Sequence, residues 1–534
     1  EVLEAKGAPV PVRYLAPRGT DPAVMERVFA KTPAMIRWMN ERLGVDYPWP
    51  RYDQVVVHDF IFGGMENAGA TTLTDLALTD ERAALDWNAE DLILHELAHQ
   101  WFGDLVTCSD WSQAWLNEGW ATYSEHLWRC HDLGQDEADH GLFTQLGNYL
   151  GEAGGRYRRS IVHFSYRRPI DLFDRHLYEK GALILHTLRN TIGDAAFFEG
   201  TRSYLQTHAF GSVHSRDFQQ AMEQASGRNL DQFFQQWVQG AGHPSLKVKL
   251  SHSQGMLQVG LKQTQSGNRV AKVFHFGLRI RIVHGEQNQL ITLPVDSRER
   301  TWALVCTEPP DRVEVDADFR LLADLRLEGS VQLLEASLTG DASVVGRIRA
   351  ARALAKKGTG PAQRTLIAAL EQAEFWGLRA EIARLLATRG GDEVREALLK
   401  ARTDTHPKAR RAIVAALGSF RHPDVHRALG AIIDAGDPSI HVEGDAGRAL
   451  GISRGPDLIA RCRQLLERES WGALIQVRAL EGLAQSQNPA ALPILLDWTA
   501  VECHPRTQAA AAAGLGVLAD NVPSVREAVL PRLL

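Results

Sequence analysis

Cysteine is scarce in this chain of 534 residues: Cys108, Cys130, Cys306, Cys462 and Cys503 are odd in number, far apart and free of CxxC spacing. That argues against a disulfide framework and favours a reducing, cytoplasmic setting or simply buried thiols. Long apolar runs are also missing. The longest candidate, the Ala-rich piece around Ala509–Ala519, falls short of the ~20 residues a membrane span needs. Positive charge is not in surplus either. The net charge of -6, without a block of Lys or Arg, gives no reason to expect nucleic acid as a partner. The chain opens Glu1-Val2-Leu3 with no Met and no signal-type leader, and so reads as an internal fragment. What remains is ordinary for a soluble globular protein, 44% hydrophobic and 23% charged. Its length exceeds the ~250–300 residues over which one core grows, so several domains are expected.

One stretch departs from that plain background. Asp91 to Trp128 reads DLILHELAHQWFGDLVTCSDWSQAWLNEGWATYSEHLW, which holds His95-Glu96-x-x-His99 and, after eighteen intervening residues, Glu118. Residues four apart share a helix face, so His95 and His99 can aim two imidazoles at one ion. Two imidazoles and a carboxylate, with a fourth position left to water, predict a catalytic rather than a structural zinc site, one Zn2+ per chain. Glu96, beside the first ligand, is placed to take a proton from that water. With 20 His in the chain, composition alone predicts only roughly 0.05 such matches by chance. Cys108 lies nearby but reads as a small buried apolar residue. Trp111, Trp115, Trp120 and Trp128 read as core and not as a substrate platform.

The rest of the chain divides by its periodicity. A helical stripe through Val24, Val28, Met35, Ile36 and Met39 predicts a helix over Val24–Leu43, and a β-branched run predicts a strand from Gln54 to Phe62. That strand runs into Gly63-Gly64-Met65-Glu66-Asn67, where two glycines allow close backbone approach and Glu66 stands at the edge. The motif helix is expected over Glu90–Phe102 and the helix bearing Glu118 over Ser112–Arg129. From Gly242-His243-Pro244 the period changes to short alternating strands, six or seven in number, which suggests a small β-sandwich over 243–328 acting as a spacer. From about Gly329 the chain is helical and repetitive. Leu354, Leu386, Leu417, Leu450, Leu483 and Leu518 end Ala/Leu-rich helices 31 to 35 residues apart. Turn or helix-start residues follow each in similar phase (Pro361, Asp392, Pro423, Pro456, Pro489, Pro523), the signature of a HEAT-like α-solenoid over 329–534. The last copy runs to Leu534 without an evident polar cap.

Together HELAHQWFGDLVT, the WLNEG that follows and the upstream GGMEN resemble the zinc aminopeptidases of the aminopeptidase N-like (gluzincin) family, over roughly residues 10–240. This pairing of motifs is not shared by thermolysin-like endopeptidases in general. The resemblance implies a multidomain α+β protein whose residues 1–242 form a mainly helical thermolysin-like catalytic domain. It implies that His95, His99 and Glu118 bind zinc and that Glu96 is general base and later proton donor. Tyr178, in YEKGA, would hydrogen-bond the tetrahedral oxyanion; the residues alone leave Tyr166 equally eligible. Gly63, Gly64, Met65, Glu66 and Asn67 would line the substrate backbone, with Glu66 holding the free α-amine. Peptides with a free N-terminus are therefore the expected substrates, and the helical repeats offer a surface for partner proteins. The family's β-rich N-terminal domain, which supplies a further group to the amine pocket, has no counterpart in the 53 residues before Gln54. Two alternatives stand beside the aminopeptidase: a zinc hydrolase of the leukotriene epoxide type, using the same constellation, and a non-catalytic scaffold acting through its repeats.

Overall fold

The computed structural model describes residues 1–533, so the expectation about a cap at Leu534 lies outside the described residues. The chain is mainly helical with short sheets and forms two compact units. One comprises Glu1–Leu78 with Ala89–Ala353, the other Thr79–Asn88 with Leu354–Leu534.

In the first unit a five-stranded sheet has the order Val2–Glu4, Val12–Leu15, Tyr52–Val57, Ala70–Thr74, Gly64–Met65. Its three central strands run parallel and both outer strands pair antiparallel. The helix expected over Val24–Leu43 is two helices, Pro22–Phe29 and Thr32–Leu43. Pro33, lacking an amide donor, starts a helix rather than continuing one. The buried stripe moves accordingly onto Met25 and Phe29, with Met35, Ile36 and Met39 buried as expected. The strand expected to reach Phe62 ends at Val57. Asp59 takes a left-handed φ of 56°, and the chain turns back so that Gly64–Met65 can pair with Ala70–Thr74.

The motif helix spans Glu90–Ala98, with His99 as its C-cap, and so ends short of Phe102. The His99 carbonyl accepts from the Asp104 amide, which closes the helix, and Gly103 holds a φ of 144° that favours glycine. The second motif helix, Trp115–Asp132, follows a short 3-10 turn at Trp111–Gln113. Trp115, Trp120 and Trp128 are buried as expected, whereas Trp111, on the outside of that turn, is 48% exposed and is not core. Further on, seven strands form sheets of three and four. Leu246, Val248 and Leu250 of one sheet and Leu278, Ile280 and Ile282 of the other are buried at every second position, the pattern of two sheets packed face to face.

The second unit is built of helix pairs. Leu354, Leu386, Leu417, Leu450, Leu483 and Leu518 are all fully buried, which explains their regular recurrence. Asp392, Pro423 and Pro523 begin helices, at a position where an amide would have no intrahelical partner. One feature of this unit was not foreseen. The Thr79–Asn88 segment docks on the repeats: Arg82 binds the Asp437 carbonyl and the Glu443 carboxylate, each at 2.6 Å, and Trp87 stacks on Trp471 at 5.1 Å. No helix of the described residues is long and apolar enough to cross a membrane.

Helices Ile440–Ile452 and Leu474–Gln485 touch backbone to backbone, and a Cβ on Gly451 would collide with the Gly482 carbonyl. Gly451→Ala is therefore expected to destabilise the second unit by about 1–3 kcal/mol. Denaturant unfolding measures this, and an unchanged midpoint would show that the helices move apart freely.

Candidate metal centre

Helix periodicity places His95 and His99 on one face of Glu90–Ala98 and its cap, and the first turn of Trp115–Asp132 brings in Glu118. The ligand atoms form a nearly equilateral triangle. His95 Nε2 lies 3.3 Å from His99 Nε2, and each imidazole Nε2 lies 3.2 Å from Glu118 Oε2. The outer nitrogens are already occupied: His95 Nδ1 faces Glu125 Oε1 at 2.9 Å, and His99 Nδ1 faces the Phe102 carbonyl at 2.9 Å. Both acceptors favour a proton on Nδ1, so the two Nε2 atoms are the ones turned toward each other and toward the carboxylate oxygen. A tetrahedral ion with bonds of about 2.0–2.2 Å separates its ligands by about 3.3–3.6 Å, and the triangle lies at the short end of that range. The three side chains fit zinc on that measure.

Two carboxylates surround this triangle. Atoms of Glu66, Glu96 and His99 lie within 4.8 Å of one another. Burial pushes the Glu96 carboxyl up to about 7; the nearby imidazoles oppose that shift, and Glu66 and Glu118 reinforce it. Burial also acts to raise Glu118, but the two histidines outweigh it and hold its carboxyl well below the usual range. Tyr178 caps the helix Glu179–Ile192, with its ring 6.0 Å from that of His95. Burial and the adjacent Glu118 keep its phenol protonated.

Glycines set these distances. A Cβ on Gly64 would collide with the Glu96 carboxylate, so the edge strand Gly64–Met65 runs directly against that side chain. The closeness invoked for the two glycines is thus to a protein carboxylate at Gly64 and to the Leu92 side chain at Gly63. Gly119, next to Glu118, faces Gly181, three residues after Tyr178, and a Cβ built on either would stand 2.8 to 3.0 Å from the other's Cα. The helices carrying Glu118 and following Tyr178 therefore cross at backbone contact.

Every site residue expected from the motifs stands in this region. His95, His99, Glu118, Glu96, Glu66 and Tyr178 gather around one point, and Gly63, Gly64, Met65 and Asn67 form the strand and turn beside it. Sequence reasoning missed Glu125, although it lies two turns beyond Glu118 on the same helix; its other oxygen accepts from Gln145 Nε2 at 3.1 Å. It also missed Gln100, for which no periodic signal exists. Cys108 stays outside the cluster, with burial raising its thiol to about 11. A second group, Glu152, Asp174 and His176, also converges. There the Arg159 guanidinium already spans both Asp174 oxygens, at 2.6 and 2.8 Å, and neutralises that carboxylate from within the protein.

A Glu carboxyl raised by burial beside a triangle of two histidines and one carboxylate makes this a candidate metal site, and the comparisons bear on its class. Residues 28–237 match the peptidase family M1 domain and residues 362–441 match HEAT repeats. Residues 28–237 are thus similar to an M1 peptidase domain, and the HEAT match follows them in the chain. It is 34% identical over 262 residues to aminopeptidase N of Streptomyces lividans, covering 47% of this chain and 30% of that protein. It is also 34% identical over 225 residues to Tricorn protease-interacting factor F2 of Thermoplasma volcanium, covering 40% and 28%. These matches therefore span about a third of the length of the curated relatives. The crystal structure of Legionella pneumophila aminopeptidase A in complex with aspartic acid shares the fold, with a TM-score of 0.65 at 15% identity over 98% of this chain and 75% of that one.

The geometry predicts stoichiometric metal binding. Added Zn2+ at about 100 times its dissociation constant should stabilise the first unit by about 2.7 kcal/mol, and His99→Ala should abolish the effect. Thermal unfolding with and without a chelator reads this; an equal response of the variant would remove the triangle as the binding site.

Proposed function

We propose that this chain is a zinc-dependent aminopeptidase that removes residues one at a time from the free N-terminus of peptides. The observation that carries the reading is the position of Glu66, a carboxylate within 4.8 Å of both the motif glutamate Glu96 and the ligand candidate His99. His95, His99 and Glu118 would hold one zinc ion. Bound there, zinc supplies a Lewis acid that polarises a scissile carbonyl and makes water acidic enough to attack near neutral pH. Glu96 accepts the proton of the attacking water on its carboxylate and delivers it to the leaving amine nitrogen. Its burial supports that role by bringing its proton affinity near neutrality. The protonated phenol of Tyr178 donates to the oxygen on which charge develops. Gly63 to Asn67 place an open sheet edge, Gly64–Met65, alongside the site, where an extended peptide backbone can pair.

Glu66 makes the enzyme an exopeptidase. Its carboxylate is satisfied by an α-ammonium, whereas an internal peptide bond would leave it buried and unpaired. In this reading residues 1–242 are the catalytic domain, 243–328 a spacer and 329–534 a repeat domain that offers a surface to protein partners. The Thermoplasma relative is by its name an interacting factor, which agrees with such a use. All five cysteines are unpaired, which suits a cytoplasmic location.

Glu96→Gln is expected to keep about one zinc per chain while losing hydrolysis by about 10²–10⁴; substantial residual turnover removes Glu96 as the base. Aminoacyl-anilides should be cleaved and their N-acetylated forms ignored, and equal cleavage of both would refute the exopeptidase reading.

A further inference from the structure

We infer that Gln100 is a positioning residue for the amine-binding carboxylate: it holds the turn that carries Glu66 in register with the metal-binding helix. The inference rests on the aminopeptidase reading above and names what sets its selectivity for a free amine.

Gln100 directly follows the ligand candidate His99 and is fully buried. Its side-chain amide spans the turn between Gly64–Met65 and Ala70–Thr74. Nε2 donates to the Glu66 carbonyl at 3.1 Å, and Oε1 accepts from the Gly69 amide at 2.7 Å and from the Tyr47 hydroxyl at 3.3 Å. The Gln100 backbone carbonyl accepts from the Trp49 indole at 3.3 Å. One planar amide thus binds both ends of the turn, as a donor at one end and an acceptor at the other. A side chain that could only donate or only accept would leave a buried backbone group unpaired.

The turn has its own ties. The Ala70 amide donates to the Asn67 carbonyl at 2.8 Å, and Asn67 Nδ2 donates to Thr72 Oγ1 at 3.1 Å. Gly69 adopts a φ of 70°, with a built Cβ 3.2 Å from the Arg51 carbonyl. These contacts shape the hairpin internally. The hydrogen bonds from Gln100 relate it to the metal site, because Gln100 and His99 are consecutive on one chain. Glu66 lies close enough to Glu96 and His99 that a displacement on the order of 1 Å would uncouple an ammonium held by one from a carbonyl presented to the others.

The test compares inhibition of the full chain by leucine hydroxamate and by the same hydroxamate lacking the amine, for the native protein, Gln100→Met and Gln100→Glu. The native protein should bind the amino form at least about tenfold more tightly. In both variants that ratio should fall toward one, while zinc content and affinity for the des-amino form stay within about twofold of native. KM for an aminoacyl-anilide should rise by a larger factor than kcat falls. Gln100→Glu keeps an acceptor for the Gly69 amide and, once ionised, lacks the donor for the Glu66 carbonyl, so measured at alkaline pH it decides the matter if Gln100→Met folds poorly. An unchanged ratio in a zinc-loaded variant overturns the inference, as does an equal loss of both inhibitors. Loss of zinc in both variants would assign Gln100 to the helix alone and overturn it too. A ratio near one in the native protein would instead refute amine anchoring by Glu66, and the inference with it.

Discussion

Three lone-pair donors, two imidazole nitrogens and a carboxylate oxygen, face one another at 3.2 to 3.3 Å in the interior of the first unit. Such an arrangement is repulsive unless something positive stands at its centre, and much of the surrounding structure holds it in place. Glu125 and the Phe102 carbonyl occupy the outer nitrogens and so determine which imidazole nitrogen faces inward. Gln145 in turn orients Glu125, and Trp120 stacks on Phe102 with centroids 4.3 Å apart, securing the carbonyl that orients His99. The metal pocket is therefore an arrangement of at least two layers, in which the outer partners decide the chemistry of the inner ones.

The charge around that pocket follows one logic. Glu66, Glu96, Glu118 and Glu125 bring four carboxylates against two imidazoles, with Glu96 and Glu118 buried and Glu66 half-buried. Burial alone would favour the protonated acid in Glu96, Glu118 and Glu125. Their responses differ because their neighbours differ: Glu118, flanked by both histidines, is held low, while Glu96, flanked by carboxylates as well, is raised to about 7. A dication and a substrate ammonium are the complements that such a negative pocket selects, which links the proposed cofactor to the proposed substrate without a separate assumption. The contrast with Glu152, Asp174 and His176 is instructive. There Arg159 supplies a positive charge to Asp174 from within the chain.

Close packing supplies the distances that charge alone cannot. The site needs a strand against Glu96 and a phenol beside His95, and both approaches pass through glycine: Gly64 on the strand and the Gly119–Gly181 contact between helices. A side chain at any of these positions would push an entire element outward, because the obstruction is backbone or the buried carboxylate itself. The glycines in GGMEN, NEGWA and YEKGA are thus part of the site although none of them carries a reactive group.

His95, His99 and Glu96 were legible in the sequence because an α-helix converts a spacing of four into a shared face by local geometry alone. The leucine period of the repeats was legible for a similar reason, since each unit buries the same position against the next. The division into helical, strand-rich and repetitive stretches also followed from periodicity. Tertiary structure decided what local rules do not reach. It split the helix at Pro33, ended the motif helix at His99 so that its carbonyl could take the Asp104 amide, and left Trp111 on the outside of a turn. It also docked Thr79–Asn88 on the repeats, where Arg82 meets Glu443. Above all it brought Glu66, Tyr178 and Glu125 to the histidines from separate elements. No periodicity encodes such meetings, because they depend on which backbones can approach closely and which buried polar groups find a partner when they do.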